Sequence, residues 1–111
     1  VYYANYLKFM ERARTEWLRS LGFEQQRLRD AQGVVFVVRR VEIDYLAPAR
    51  LDDLLVVSTQ RTDTTRTCLT VAQEIAADTV LTRATVQIVC IDPASFRPVK
   101  IPELLMEKIT S

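Results

Sequence analysis

Residues 4–20 carry one wide apolar face at helical spacing, and from Val34 onward the chain alternates with a period of two. A single long helix followed by a run of strands has few ways to bury itself: it must lie on a sheet built from those strands. Plotted at about 100° per residue, Tyr6, Leu7, Phe9, Met10, Ala13, Trp17 and Leu18 fall on one arc of roughly 180°. Lys8, Arg12, Thr15, Glu16 and Arg19 fill the opposite arc. Gly22, between Leu21 and Phe23, is a natural residue to end the helix. Residues 24–31 predict a short second helix, exposed and weakly apolar.

The strands follow. Val35, Val37, Val41, Ile43 and Tyr45 share one predicted face, with Arg39 intruding; Val34, Phe36 and Val38 start the other face, which then turns charged at Arg40, Glu42 and Asp44. This predicts a first half buried on both faces, of the kind that meets another subunit or a ligand. In a single copy Val34, Phe36 and Val38 are expected to be exposed. Residues 47–53 read as a turn, Leu54–Arg61 as a strand, Asp63–Thr65 as a turn, Arg66–Ala76 as a strand and Val80–Ile91 as the last strand. Ile101–Ile109 predicts a C-terminal helix with Pro102 in its first turn. Short turns between consecutive strands predict an antiparallel meander. The fold class is α+β, in one domain over 1–111.

Absences narrow the chemistry. The 111 residues include no histidine, which removes Ser-His-Asp and Cys-His catalysis and His-ligated metals. Two glycines cannot write a phosphate loop or a dinucleotide turn. Two cysteines, Cys68 and Cys90, cannot build a four-thiolate metal site and read as thiols in a reducing compartment. Fifteen basic against fourteen acidic residues argue against a nucleic-acid coat. No apolar run approaches the ~18 residues of a membrane span. No cofactor or metal is implied.

One pair stands out on the helix. Arg14 falls within the apolar arc, where a charge is costly unless paired. Glu11, three residues earlier, is placed to meet it. Arg14 and Glu11 are therefore expected to form an ion pair under the sheet.

The segment from Val1 to Trp17 resembles the central helix of hot-dog-fold acyl-CoA thioesterases. The match is to the 4-hydroxybenzoyl-CoA thioesterase family, especially the bacterial branch encoded beside the Tol–Pal envelope genes. Phe36-Val37-Val38-Arg39 is similar to that family's second strand. Tyr45 to Asp53 is similar to its next turn, and Val89-Cys90-Ile91-Asp92 with Arg97-Pro98 to its last strand and loop. The resemblance implies a helix wrapped by an antiparallel sheet, in a homodimer or homotetramer, hydrolysing an acyl-CoA thioester in the cytoplasm. It implies a first strand and a catalytic Asp upstream of Val1, the Asp four places before it. It also implies roles for individual residues. The backbone N–H of Tyr3, at the helix start, would polarise the thioester carbonyl. On the residues alone, Tyr3 reads as an aromatic that packs near a helix N-terminus.

A second group of hot-dog enzymes uses a helix Glu two turns below that N–H, and Glu11, eight residues after Tyr3, matches the spacing. Asn5 reads either as a cap or as a contact in the thioester pocket. Tyr2, Tyr6 and Phe36 are candidates to line the acyl site, and Val37, Val38 and Arg39 to form its wall across a dimer. Arg39, Arg50, Arg97 and Lys100 read either as coenzyme A phosphate contacts or as solvated charges. The rival reading is a non-catalytic module that binds acyl-CoA or acyl carrier protein. A hydratase on the same fold would need a histidine.

Overall fold

The computed structural model describes residues 3–22, 24–48 and 54–110, and the side chains of residues 3–5 and 25 lie outside that description. Helix α1 runs Tyr3–Ser20, α2 Gln25–Gln32, then β1 Val35–Tyr45, β2 Val56–Thr64, β3 Cys68–Ala76 and β4 Val80–Ile91, with α3 at Glu103–Thr110. Every strand pairing is antiparallel. α1 packs against β2 and β3, and α2 against β1. This is the helix-on-sheet arrangement that the periodicities predict.

The apolar arc of α1 is narrower in the structure than on the helical wheel. Tyr6, Met10 and Leu18 are buried, while Leu7 and Phe9 are exposed. The sheet covers only the row on which Tyr6 and Met10 stand four residues apart. α1 closes at Gly22, whose φ of +89° is the left-handed conformation that glycine adopts without strain. α2 is mostly exposed, but its Leu28 is buried in the core.

The strand order is β1-β4-β3-β2, which corrects the meander. β2, β3 and β4 do follow one another by tight turns. β1, however, pairs with β4 and not with β2. β1 ends at Tyr45 on one edge of the sheet and β2 begins at Val56 on the other. Three strand spacings amount to about 14 Å, which ten residues span easily. The departure is anchored where the backbone N–H groups of Leu46 and Ala47 both donate to the Leu81 carbonyl.

A bulge between Val38 and Arg40 corrects the predicted faces of β1. Phe36 pairs with Cys90 and Val38 with Ile88; beyond the bulge, Val41, Ile43 and Tyr45 pair with Val86, Ala84 and Thr82. Paired residues share a face, so Phe36, Val38, Val41, Ile43 and Tyr45 all point toward the helices. Val35 and Val37 point outward. Arg39 is the extra residue, and inserting it reverses the phase. The expected burial also changes. Val34 and Phe36 are buried within one copy, because α2 returns over the start of β1 with the Val34 N–H on the Leu28 carbonyl. Val38 is exposed, as expected of a single copy, and Val37 is exposed as well.

The inward face of the two central strands is largely apolar: Leu69, Val71 and Ile75 from β3, and Val86, Ile88 and Cys90 from β4. Among the described residues its two buried polar members are Gln73 and Thr82. Cys68 and Cys90 are both free thiols, Cys90 buried and Cys68 half-buried.

Candidate active site

The start of α1 sits at the β4-Thr82 end of the sheet. Tyr6 is buried there, and its ring stacks on that of Tyr45, the last residue of β1. The first-turn N–H groups of any α-helix lack intrahelical acceptors and carry the positive end of its dipole. α1 has no acidic residue in its first turn to neutralise them. Tyr3 is the first described residue of that turn.

Further along α1, Glu11, Arg14, Thr15 and Leu18 face Phe36 and Val38 of β1 and Ile88 of β4 across a recess of about 390 Å³. Its floor is apolar and its rim carries one carboxylate and one guanidinium. The recess gathers three of the sequence candidates: Glu11, Phe36 and Val38.

The expected Glu11–Arg14 ion pair gives way to a different partnership. Arg14 Nη1 donates to Gln73 Oε1 at 2.9 Å. Glu11 is exposed and acts on Arg14 only through its charge. Burial pushes the Arg14 guanidinium below its ordinary value, and the Glu11 charge partly offsets this. The signal for Gln73 was an amide at an inward position of β3, between Val71 and Ile75, where the period demands an apolar side chain. Gln73 and Tyr45 are residues of the site region that the sequence candidates do not include.

The other candidates are dispersed. Val37 lies on the outer face and borders a separate hollow of about 340 Å³ with Gln26, Arg29, Val35 and Phe36. Arg39 is exposed at the bulge of an edge strand. Arg97 is exposed in the turn after β4, as is Lys100 beyond it; Lys100 pairs with Glu103 at 3.8 Å. Tyr2 and Arg50 lie outside the described residues, as do the side chains of Tyr3 and Asn5. Among the described residues there is no cluster of His, Cys, Asp or Glu that could hold a metal ion. No described helix is long and apolar enough to cross a membrane.

Comparison with known proteins agrees with this architecture. The thioesterase superfamily profile matches residues 1–84. An acyl-CoA thioesterase YbgC from Haemophilus influenzae is 43% identical, over 93% of this chain and 76% of its own length. An acyl-CoA thioester hydrolase YbgC from Escherichia coli is 45% identical, over 96% of this chain and 80% of its own. Among solved structures, a probable thioesterase from Bartonella henselae superposes with a TM-score of 0.82 at 35% identity, covering 92% of this chain and 85% of that one. The chain belongs to the thioesterase superfamily. It is a thioester hydrolase with the hot-dog fold.

Proposed function

We infer that this chain hydrolyses acyl-CoA thioesters to the free acid and coenzyme A. The identity of 43% and 45%, sustained over nearly the whole chain, to relatives named for that activity carries the reading. In the reaction an oxygen nucleophile adds to the thioester carbonyl carbon, the C–S bond breaks, and the sulfur leaves to take up a proton. The carbonyl oxygen becomes an oxyanion. The first-turn N–H groups of α1, that of Tyr3 first, are the donors for it, and one such donor is worth about 3 kcal/mol of barrier. Asn5, in the same turn, borders the thioester.

A carboxylate must activate water or attack directly. The family resemblance supplies an Asp upstream of Val1, and α1 supplies Glu11. Eight residues of helix rise about 12 Å, so one carbonyl cannot touch both the Tyr3 N–H and Glu11 of the same copy. A two-fold pair of antiparallel copies removes that difficulty: the α1 start of one protomer then faces the recess of the other. β1 supports such a pair. It is an edge strand with Val38, Val41 and Tyr45 exposed on its helix-facing side. The acyl group then lies against Phe36 and Val38 rather than Tyr6, whose ring is already enclosed by the core, and two such dimers assemble as a tetramer. Arg39 and Arg97 are exposed cations for the coenzyme A phosphates, and Arg50 is a further candidate from the sequence. The free thiols suit a cytoplasmic enzyme.

The experiment is turnover of a panel of short, long and aromatic acyl-CoAs, followed by thiol release, with sedimentation on the same sample. Turnover on any member by a dimer or tetramer supports the reading. A folded protein that binds acyl-CoA without turnover sinks it and leaves a binding module.

A further inference from the structure

Gln73 is the most constrained polar side chain of the described core. It is 0% exposed on an inward face whose other β3 members, Leu69, Val71 and Ile75, are also 0% exposed. A primary amide buried there costs about 1–3 kcal/mol unless its groups are bonded. Both ends of the amide are engaged. Nε2 donates to the Met10 carbonyl oxygen at 2.9 Å and to Thr59 Oγ1 at 3.0 Å. Oε1 accepts from Arg14 Nη1 at 2.9 Å. One side chain thereby joins α1, β2 and β3.

An apolar residue of the same volume would fill this place without loss of packing. What the amide adds is direction. Apolar contacts let a helix slide and roll over a sheet at little cost, whereas hydrogen bonds have narrow distance and angle limits. Met10 and Arg14 stand one turn apart on the same row of α1. Holding the backbone oxygen of one and the guanidinium of the other sets the height of the helix above β3 and its rotation about its own axis. That rotation also decides where Glu11 points, since it follows Met10 by one residue. It decides where the first-turn N–H groups aim, since Tyr6, one turn before Met10, lies on the same buried row.

We propose that Gln73 is a positioning residue for thioester hydrolysis, its amide fixing α1 so that the first-turn N–H groups face one reacting thioester of the dimer and the Glu11–Arg14 rim faces the other. The inference rests on the reading of α1 as the catalytic helix. A positioning residue acts on the transition state more than on substrate binding, because an oxyanion donor gives most of its worth only when charge has developed.

The test is steady-state kinetics on the best acyl-CoA of the panel, normalised to folded protein, for Gln73→Leu, Gln73→Glu and Thr59→Val. Gln73→Leu keeps the volume and loses every bond. Gln73→Glu keeps an acceptor for Arg14 but, as a carboxylate, donates nothing to Met10 or Thr59. Thr59→Val leaves the amide in place with one donor unpaired, and keeps the inference testable where the Gln73 variants do not fold. The expected result is a fall in kcat of about ten-fold or more for the Gln73 variants and a smaller fall for Thr59→Val, with KM within about three-fold throughout. A lowered melting temperature with unchanged kcat in the folded protein means that the amide only stabilises, and overturns the inference. A wild-type chain without turnover overturns the functional reading and this inference with it. Wild-type turnover with unchanged variants overturns this inference alone.

Discussion

The rings of Tyr6 and Tyr45 stack with centroids 6.2 Å apart and 25° between their planes, joining the second turn of α1 to the last residue of β1. Tyr6 is 1% exposed and Tyr45 39%, so the pair runs from the core to the surface beside the helix start. The contact supports the end of α1 proposed to supply the oxyanion donors.

Tyr45→Ala removes the outer ring. A half-exposed aromatic of this kind is worth about 1–2 kcal/mol, including its stacking. Urea unfolding is expected to show that loss, together with a fall in kcat as the start of α1 loses its support. Tyr6→Ala goes further, since emptying a buried aromatic site costs about 3–5 kcal/mol. If Tyr45→Ala unfolds like wild type, the stack carries no stability.

Glu11→Gln keeps the size of the side chain and removes its charge. The hydrogen bond from Arg14 to Gln73 does not involve Glu11, so the fold is expected to hold. With Glu11 as the working carboxylate, kcat drops about a hundred-fold or more. Full turnover by the variant would remove Glu11 from the chemistry.

Cys90 is buried, and burial pushes its thiol up from 9.0 to about 11. The folded value lies above the unfolded one, so the protonated thiol's contribution to stability is complete below pH 9.0. It is lost as pH rises toward and through about 11. Cys90→Ala lacks this titration. The gap in melting temperature between wild type and Cys90→Ala is expected to be constant up to about pH 8 and to shrink by about pH 11. A constant gap across that range would contradict the assignment. In the thiol-release assay, Cys68 is the protein thiol expected to react first.

Phe96 has a φ of 59° and is 75% exposed. The left-handed conformation strains a bulky residue, and little packing repays it here. Asp92 holds the turn: its carbonyl accepts from the Phe96 N–H at 2.8 Å, and its carboxylate accepts from the Ala94 N–H at 3.0 Å. Phe96→Asn keeps these bonds and relieves the strain, with an expected gain of about 0.5–1 kcal/mol. A lower melting temperature for that variant would show that the ring contributes to stability in a way its exposure does not suggest.

Much of the site region was legible only as residue types. Glu11, Phe36 and Val38 were recognisable, and they do share a recess. Arg14 is recognisable as a charge needing a partner, and Glu11, three residues earlier on the same side of the helix, is the natural local choice. The actual partner, Gln73, lies 59 positions away, and no local spacing points to it. The face of β1 was misread for a related reason. Alternation reports a face only while the register holds, and one bulged residue at Arg39 reverses it.

The sequence by itself determined the elements: a long amphipathic helix closed at Gly22, a short second helix, four strands of which the last stops at Asp92, a C-terminal helix that begins after Pro102, and membership of the thioesterase superfamily. These follow from local sterics and from the pattern of apolar side chains, which neighbouring residues carry whatever the rest of the chain does. The tertiary structure alone decided that β1 joins β4 across the sheet, that Val34 and Phe36 are covered within one copy, and that an amide from β3 holds the helix. Each of these depends on which distant surfaces meet, and that choice is made by closing one shared core.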